Sequence, residues 1–395
     1  MPAQAKAPNQ VMLAPTVPGD RRSYPVPPST SVQAPAGLNP IGRILVPMKL
    51  DPYFMKSLKL NIKMTVTASG AAGATVTDEQ VQYGLIQSAI MHKSDMPRGE
   101  SGVQFQDASG ATLDLIQRLL AGNRNGEPNN GDTLVTSAAA GTTNVELNYR
   151  IPFYCPWLHP RDLNLITGYL DPQNTFYLEL NLGGVTSFLS GDNAATITAL
   201  SVTPEAEVYD FSSFQWGAQQ LPGGYNGGSI IRPRYEINEN LYVSQGISSG
   251  AGQQIEIVKT HSLAGFLLFD LAADQITPNY APNNNIIGAG VQFNTSNFPF
   301  GQSRTLKDWQ RDGNEITGSN QFDSASVYGN VLPIIFTDRG AYSQLQHTTV
   351  NEKVAVDKIY LNVLTAAAGK IIKLVTFKEN IWPGLGLNQK IAQAA

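Results

Sequence analysis

The stretch SLKLNIKMTVT, Ser57 to Thr67, decides the fold. Leu58, Leu60, Ile62, Met64 and Val66 alternate with Lys59, Asn61, Lys63 and Thr65. A period of two sustained over this length requires a strand with one buried face and one wet face. Working outward, VELNYRIPF repeats the pattern through Val145, Leu147, Tyr149 and Ile151, and FYLELNL through Phe176, Leu178, Leu180 and Leu182. Further strands are expected in ITALSVTPEAEVYDF (197–211), IEIVKTHSLAGFLLFDL (255–271), VYGNVLPIIF (327–336), DKIYLNVL (357–364) and KIIKLVTF (370–377).

Helical signals are few. TLDLIQRLLAGN, 112–123, puts Leu113, Ile116, Leu119 and Leu120 on one face and meets Gly122 at its end. TLKDWQRDG, 305–313, turns Leu306 and Trp309 inward, with Gly313 as the expected stop. Strands alternating with long helices, which a parallel α/β sheet needs, are absent from the pattern. The expected class is all-β with a few short helices in loops.

A chain of 395 residues exceeds what one sandwich core usually holds, so two domains are expected. QQLPGGYNGGS, 219–229, carries four glycines and a proline without charge, and reads as the linker. On each side of it the same order recurs: a short helix, a strand ending in an apolar run, then two more strands. The expected division is an arm over 1–40, a first sandwich over 41–218, a second over 230–380 and a closing arm over 381–395.

Residues 1–40 hold nine prolines, which remove donors and fix φ, so neither helix nor sheet is expected to run through them. Lys6, Arg21 and Arg22 outweigh Asp20 there. The opening MPAQAKAPNQ has no apolar core of a signal peptide, and the chain is expected to be made and kept in a cytoplasm until assembly or release. No run approaches the roughly 18 apolar residues of a membrane span. The closing segment is apolar at Ile381, Trp382, Leu385 and Leu387 but rich in glycine, and reads either as an arm contacting a neighbouring subunit or as a flexible tail.

Charged residues make up only 15% of the chain against 42% hydrophobic, with a formal charge of -4. That balance gives no global drive toward nucleic acid, and sequence-specific nucleic-acid binding is not expected. The only compact basic and aromatic cluster, Arg232, Arg234 and Tyr235, is followed at once by Glu236 and Glu239, and reads as an opening strand or a subunit contact.

Chemistry-bearing patterns are missing. Cys155 is alone, set among Pro152, Phe153, Tyr154, Pro156 and Trp157, and reads as a small apolar residue. His92, His159, His261 and His347 have no metal-ligand spacing. Gly288-Ala289-Gly290 lacks the third glycine and the following helix of a dinucleotide loop. Acidic residues occur close together, for instance Glu205 with Glu207 or Asp308 with Asp312, and exposed decoration explains them more simply than glycoside cleavage. No catalytic group, metal or cofactor is expected.

NYRIPF and DLNLITGYLDPQNTFYLELNLGG together resemble double jelly-roll major capsid proteins of the tectivirus type, found in membrane-containing icosahedral bacteriophages. The matching positions are Pro152, Phe153, Asp162, Leu163, Gly168, Leu170, Tyr177, Leu178, Glu179 and Leu180. Leu221, Pro222, Gly223 and Gly224, with Gln220, fall where the family changes domain, and Tyr328 to Phe336 precede a terminal pair of strands. The resemblance spans roughly residues 140–375. It implies two tandem eight-stranded jelly rolls. It implies homotrimers that form pseudo-hexagonal blocks, tile an icosahedral shell, and meet neighbouring trimers, vertex (penton) proteins and minor capsid proteins. Lys6, Arg21 and Arg22 would face an internal lipid membrane, and Trp382, Leu385 and Leu387 would make the C-terminal contact. The neutral stretches 97–111, 122–144 and 277–304 would be the outer crown or the trimer contacts. The alternative from another class is a carbohydrate-binding or carbohydrate-cleaving double sandwich, a spike or a glycosidase.

Overall fold

A computed structural model describes residues 21–25, 32–34, 42–48, 54–68, 74–75, 83–93, 104–121, 136–137, 141–152, 166–167, 176–184, 195–209, 235–246, 253–258, 262–293 without 274 and 276, 296–297, 303–317, 322, 328–335 and 358–379. The linker 219–229 and both chain ends lie outside these residues.

The first half supplies β1 in two pieces (Arg21–Pro25 and Val32–Ala34), β2 (Gly42–Met48), β3 (Phe54–Ala68), β4 (Ile86–Lys93) and β5 (Gln104–Ala108). Helix α1 (Gly110–Ala121) follows, then β6 (Gly141–Pro152), β7 (Phe176–Leu182) and β8 (Thr196–Tyr209). The second half supplies β9 (Tyr235–Gln245), β10 (Gln253–Val258), β11 (Ser262–Leu271) and β12 (Ile286–Phe293). After them come β13 in two pieces (Ser296–Asn297 and Arg304–Thr305), α2 (Leu306–Thr317), β14 (Leu332–Ile335), β15 (Lys358–Thr365) and β16 (Ala368–Glu379).

The pairing order is the same twice. In the first half the sheets run β1-β8-β3-β6 and β2-β7-β4-β5; in the second they run β9-β16-β11-β14 and β10-β15-β12-β13. Each half is therefore the two-Greek-key sandwich called a jelly roll. The helix sits between the fifth and sixth strands in both, as the repeated sequence order predicts.

β3 is the spine of the first roll, paired with β6 on one side and β8 on the other. Leu58, Leu60, Ile62, Met64 and Val66 are all buried, and Leu60 lies between Tyr149 and Pro204 in register. The opposite face is a polar ladder. Asn61 donates to Glu146 Oε1 at 2.6 Å and Asn148 Oδ1 at 2.8 Å, and Thr65 donates to Asn144 Oδ1 at 2.9 Å. Lys59 stands 4.0 Å from Glu205 across the sheet.

The two rolls share a wall. β5 and β9 run parallel and meet at Gln106 and Ile237, which joins one sheet of each roll into a single eight-stranded sheet, β14-β11-β16-β9-β5-β4-β7-β2. In its second-roll half, β11 and β16 are covered on both faces. Phe266, Leu268, Ile372 and Leu374 point into the second roll, while Leu267, Phe269, Val375 and Phe377 belong to the core continuous with the first roll. That is why LAGFLLFDL and KIIKLVTF read as nearly unbroken apolar runs rather than alternating ones.

Several expectations change. Sheet does run through residues 1–40: Arg21–Pro25 and Val32–Ala34 pair antiparallel with β8. The strand tolerates its prolines because Pro25 stands at the end of the first piece, with nothing beyond it on its outer side among the described residues. Its interruption falls opposite Thr203 and Pro204, where β8 itself lacks a donor. Helix α2 does not stop at Gly313. That glycine lies inside the helix, where an added Cβ would come within 2.6 Å of Pro333 on β14, so it serves close packing rather than termination. The stretch 277–304 is not a crown loop, because β12 runs through it, and 97–111 contains β5.

Gly288 explains why β12 escaped notice. Its pairing partner is Thr305, and a Cβ built on it would lie 2.1 Å from the carbonyl oxygen of Arg304. The glycine that weakens the strand signal is the one that lets β13 approach. Gly288→Ala is expected to cost about 1–3 kcal/mol by forcing that segment away, read as a lowered urea midpoint with an unchanged slope.

Candidate functional site: the seam between the two rolls

The polar seam between the two rolls begins where β5 ends. Ala108 is fully buried, and the chain turns at Ser109 into α1. Ser109 is the N-cap residue: its carbonyl accepts from Leu113 N at 2.9 Å and its hydroxyl from Thr112 N at 3.5 Å. The same residue is gripped from the second roll. Glu239 on β9 accepts from Ser109 N at 2.6 Å and from its hydroxyl at 3.0 Å. Lys373 on β16 reaches Ser109 Oγ at 2.6 Å and Glu239 Oε2 at 2.9 Å.

The ion pair is deep, with side-chain exposures of 7% for Lys373 and 12% for Glu239. Charges so placed need each other, since either one alone would be stranded away from water. Lys373 carried a visible signal: a lone charge inside an apolar run with both faces buried must find a partner. The identity of that partner, 134 residues away, was not readable.

The second clamp is built on Asp270, the fully buried carboxylate near the end of β11. Its oxygens accept from Asn279 at 2.9 Å, Asn283 at 3.0 Å and Asn285 at 2.8 Å, and from the Asn330 amide. Its backbone carbonyl accepts from Asn279 N at 2.9 Å. Asn330 also donates its backbone N–H to the Tyr280 carbonyl at 2.9 Å. The carboxylate is thus neutralised by amide dipoles, and the segment 279–285 is fixed around it.

What that fixing achieves is the placement of Tyr280. Its ring meets Phe269 at 5.2 Å, Tyr328 at 5.7 Å and Tyr83 at 6.3 Å, each edge to face. Its hydroxyl donates to the Ala111 carbonyl at 2.6 Å, in the first turn of α1. A second-roll loop therefore holds the first-roll helix. Farther along that helix, Asp114 is buried and acts on Tyr149 of β6. Burial first, and the Asp114 charge second, push the Tyr149 phenol well above its ordinary 10.0.

At α2, Thr305 and Asp308 cap the helix reciprocally, with Thr305 Oγ1 donating to Asp308 Oδ2 at 2.7 Å. The Thr305 hydroxyl first, aided by its backbone N–H and by Arg304 and Arg311, holds the Asp308 carboxyl below its ordinary range. Arg304 binds Asp312 at 2.7 Å and lies over the Trp309 ring at 4.7 Å. The acidic pair Asp308 and Asp312 is thus engaged in structure. Among the described residues no group of three or more His, Cys, Asp or Glu side chains is placed to hold a metal ion. Among them, too, no helix is long and apolar enough to cross a membrane.

Of the residues singled out in the sequence, Lys6, Leu221, Pro222, Gly223, Gly224, Trp382, Leu385 and Leu387 lie outside the described residues. The backbone of Arg21 and Arg22 is in β1, opposite Tyr209 and Val208. The seam residues Ser109, Glu239, Asp270, Tyr280 and Lys373 were not anticipated as a group. Besides Lys373, the run Pro282 to Asn285 was a local signal, three asparagines in succession that a shared acceptor could gather.

No family model matches the sequence, and no curated protein matches it. Solved structures do. The crystal structure of the STIV MCP aligns with a TM-score of 0.57 at 13% identity, covering 93% of this chain and 98% of that one. A chain from the atomic structure of Sulfolobus Turreted Icosahedral Virus aligns at 0.58 and 13% identity, covering 95% and 96%. The Faustovirus major capsid protein aligns at 0.51 and 8%, covering 91% and 89%. The fold is the double jelly roll of such capsid proteins, over nearly the whole chain.

Two outcomes test the seam. Lys373→Met, which strands Glu239, is expected to lower unfolding stability by about 3–5 kcal/mol, while adding Glu239→Leu restores a large part of it. Asp270→Ala removes the shared acceptor of four asparagine amides, that of the buried Asn330 among them, and is expected to cost on the order of 3 kcal/mol. Urea titration of the purified protein reads both.

Proposed function

We propose that this chain is a major capsid protein, a structural subunit that works by assembling with copies of itself. One observation carries the reading. The two rolls have identical topology and share one sheet across a seam closed by a buried ion pair and a buried carboxylate cluster. A rigid pair of equivalent blocks is what a threefold assembly needs to present six similar units. The fold it shares with solved major capsid proteins supports the same reading.

In finer detail, three chains form a homotrimer whose six rolls make a pseudo-hexagonal block. Such blocks tile an icosahedral shell in the virion, next to neighbouring trimers and to vertex and minor capsid proteins. An internal membrane lies beneath, approached by Lys6, Arg21 and Arg22, each worth about 1 kcal/mol near an anionic surface. The chain has no catalytic role. Glu205, Asp308 and Asp312 are engaged with Lys59, Thr305 and Arg304, which supports that view.

Light scattering on a sizing column tests assembly: the expected mass is three times 42.6 kDa. A stable monomer at micromolar concentration would remove the capsid reading and send attention to the carbohydrate-binding alternative, with glycan-array binding as its check. For the membrane contact, removal of residues 1–20 together with Arg21→Gln and Arg22→Gln is expected to keep the trimer and weaken binding to anionic vesicles. Cutting farther, to residue 35, would delete β1 and confuse loss of the fold with loss of the contact.

A further inference from the structure

Among the described residues, three large apolar side chains are well exposed: Leu45, Leu241 and Val243. Two of them, Leu241 at 51% and Val243 at 57%, stand two residues apart on β9 and so share one face. Beside Val243, in direct register on β16, is the partly buried Ile371. The outer edge of β9 is also open here. Its parallel contact with β5 is made at Ile237, and from Ala108 the first-roll chain turns away through Ser109 into α1. From Asn240 to Gln245 the strand therefore offers an uncharged apolar face and, among the described residues, an edge with no neighbouring strand.

We propose that this corner receives the C-terminal segment of a second copy of the chain, with Trp382, Leu385 and Leu387 laid against Leu241, Val243 and Ile371. The inference rests on the capsid reading and names the contact by which copies hold each other. The chemistry matches: Ile381 to Gln389, IWPGLGLNQ, has no charge, and neither does the stretch Asn240 to Gln245 that it would cover. An extended segment beside an open strand edge also gains main-chain hydrogen bonds. Pro383, Gly384 and Gly386 suit an extended partner better than a helical one.

The geometry favours another copy over the same chain. The segment leaves after Glu379, which pairs with Tyr235 at the far end of β9. Ile371 lies eight residues back along β16, about 27 Å away. Both faces of β16 between those points are closed, since Ile372, Leu374, Val375 and Phe377 are exposed by no more than 1%. Among the described residues, β16 offers no groove along the sheet between those points. A copy related by rotation can bring its exit point directly to the corner, and a closed ring lets every copy give one segment and receive one.

The test is a cysteine pair, Val243→Cys with Leu385→Cys, in a Cys155→Ser background, oxidised and run on a non-reducing gel. Covalent dimers and trimers are expected, with neither single cysteine variant giving them. Val243→Asp is expected to weaken association at least tenfold by light scattering while leaving the thermal unfolding of the chain unchanged. A link confined to monomer-sized protein would assign the corner to the chain's own segment and overturn the proposal. A wild-type trimer with no link and an unaffected Val243→Asp variant would also overturn it, yet leave the capsid reading standing. Wild-type protein that is monomeric at every concentration would overturn both.

Discussion

The parallel meeting of Ile237 with Gln106 is the constraint from which the rest of the structure follows. Once β5 and β9 lie side by side, the two sandwiches cannot be separate beads on a linker. One sheet must serve as the wall of both. Within its second-roll half β11 and β16 are then buried twice, and have to be apolar on both faces. A charge placed there, as Lys373 is, has to be matched from the neighbouring strand and from the cap of α1.

The seam also shows how polarity is used inside a largely apolar joint. Burying Asp270 alone would be prohibitive, but four asparagine amides and a tightly turned loop make it the fixed point around which Tyr280 is set. Tyr280 in turn places α1 through a single hydroxyl and three aromatic edges. Apolar packing would allow the rolls several relative positions of similar energy. Directional bonds from Glu239, Lys373 and Tyr280 select one. In the assembly proposed above such a single setting is an advantage, because a small error in angle would be repeated with every copy.

The glycines show a similar logic. Gly288 and Gly313 both look like interruptions in a linear reading, one of a strand and one of a helix. In three dimensions each is a point of close approach, to the Arg304 carbonyl and to Pro333. The absence of a side chain is the feature being used, and nothing in the local pattern distinguishes that use from a turn or a stop.

Local periodicity determined the class of the protein. The alternation in β3, β6 and β7 required half-buried strands, and the recurrence of helix and strands on both sides of residues 219–229 pointed to two like sandwiches. These properties are legible because a period of two is imposed by the strand itself. Tertiary structure alone decided that β1 adds to the first roll despite its prolines, that β12 forms through Gly288-Ala289-Gly290, and that the rolls share a sheet. It alone joined Ser109 to Glu239 and Lys373, and Asp270 to Asn330. The reason is distance along the chain: those partners stand 60 to 264 residues apart, and no local pattern encodes which buried donor will meet which acceptor.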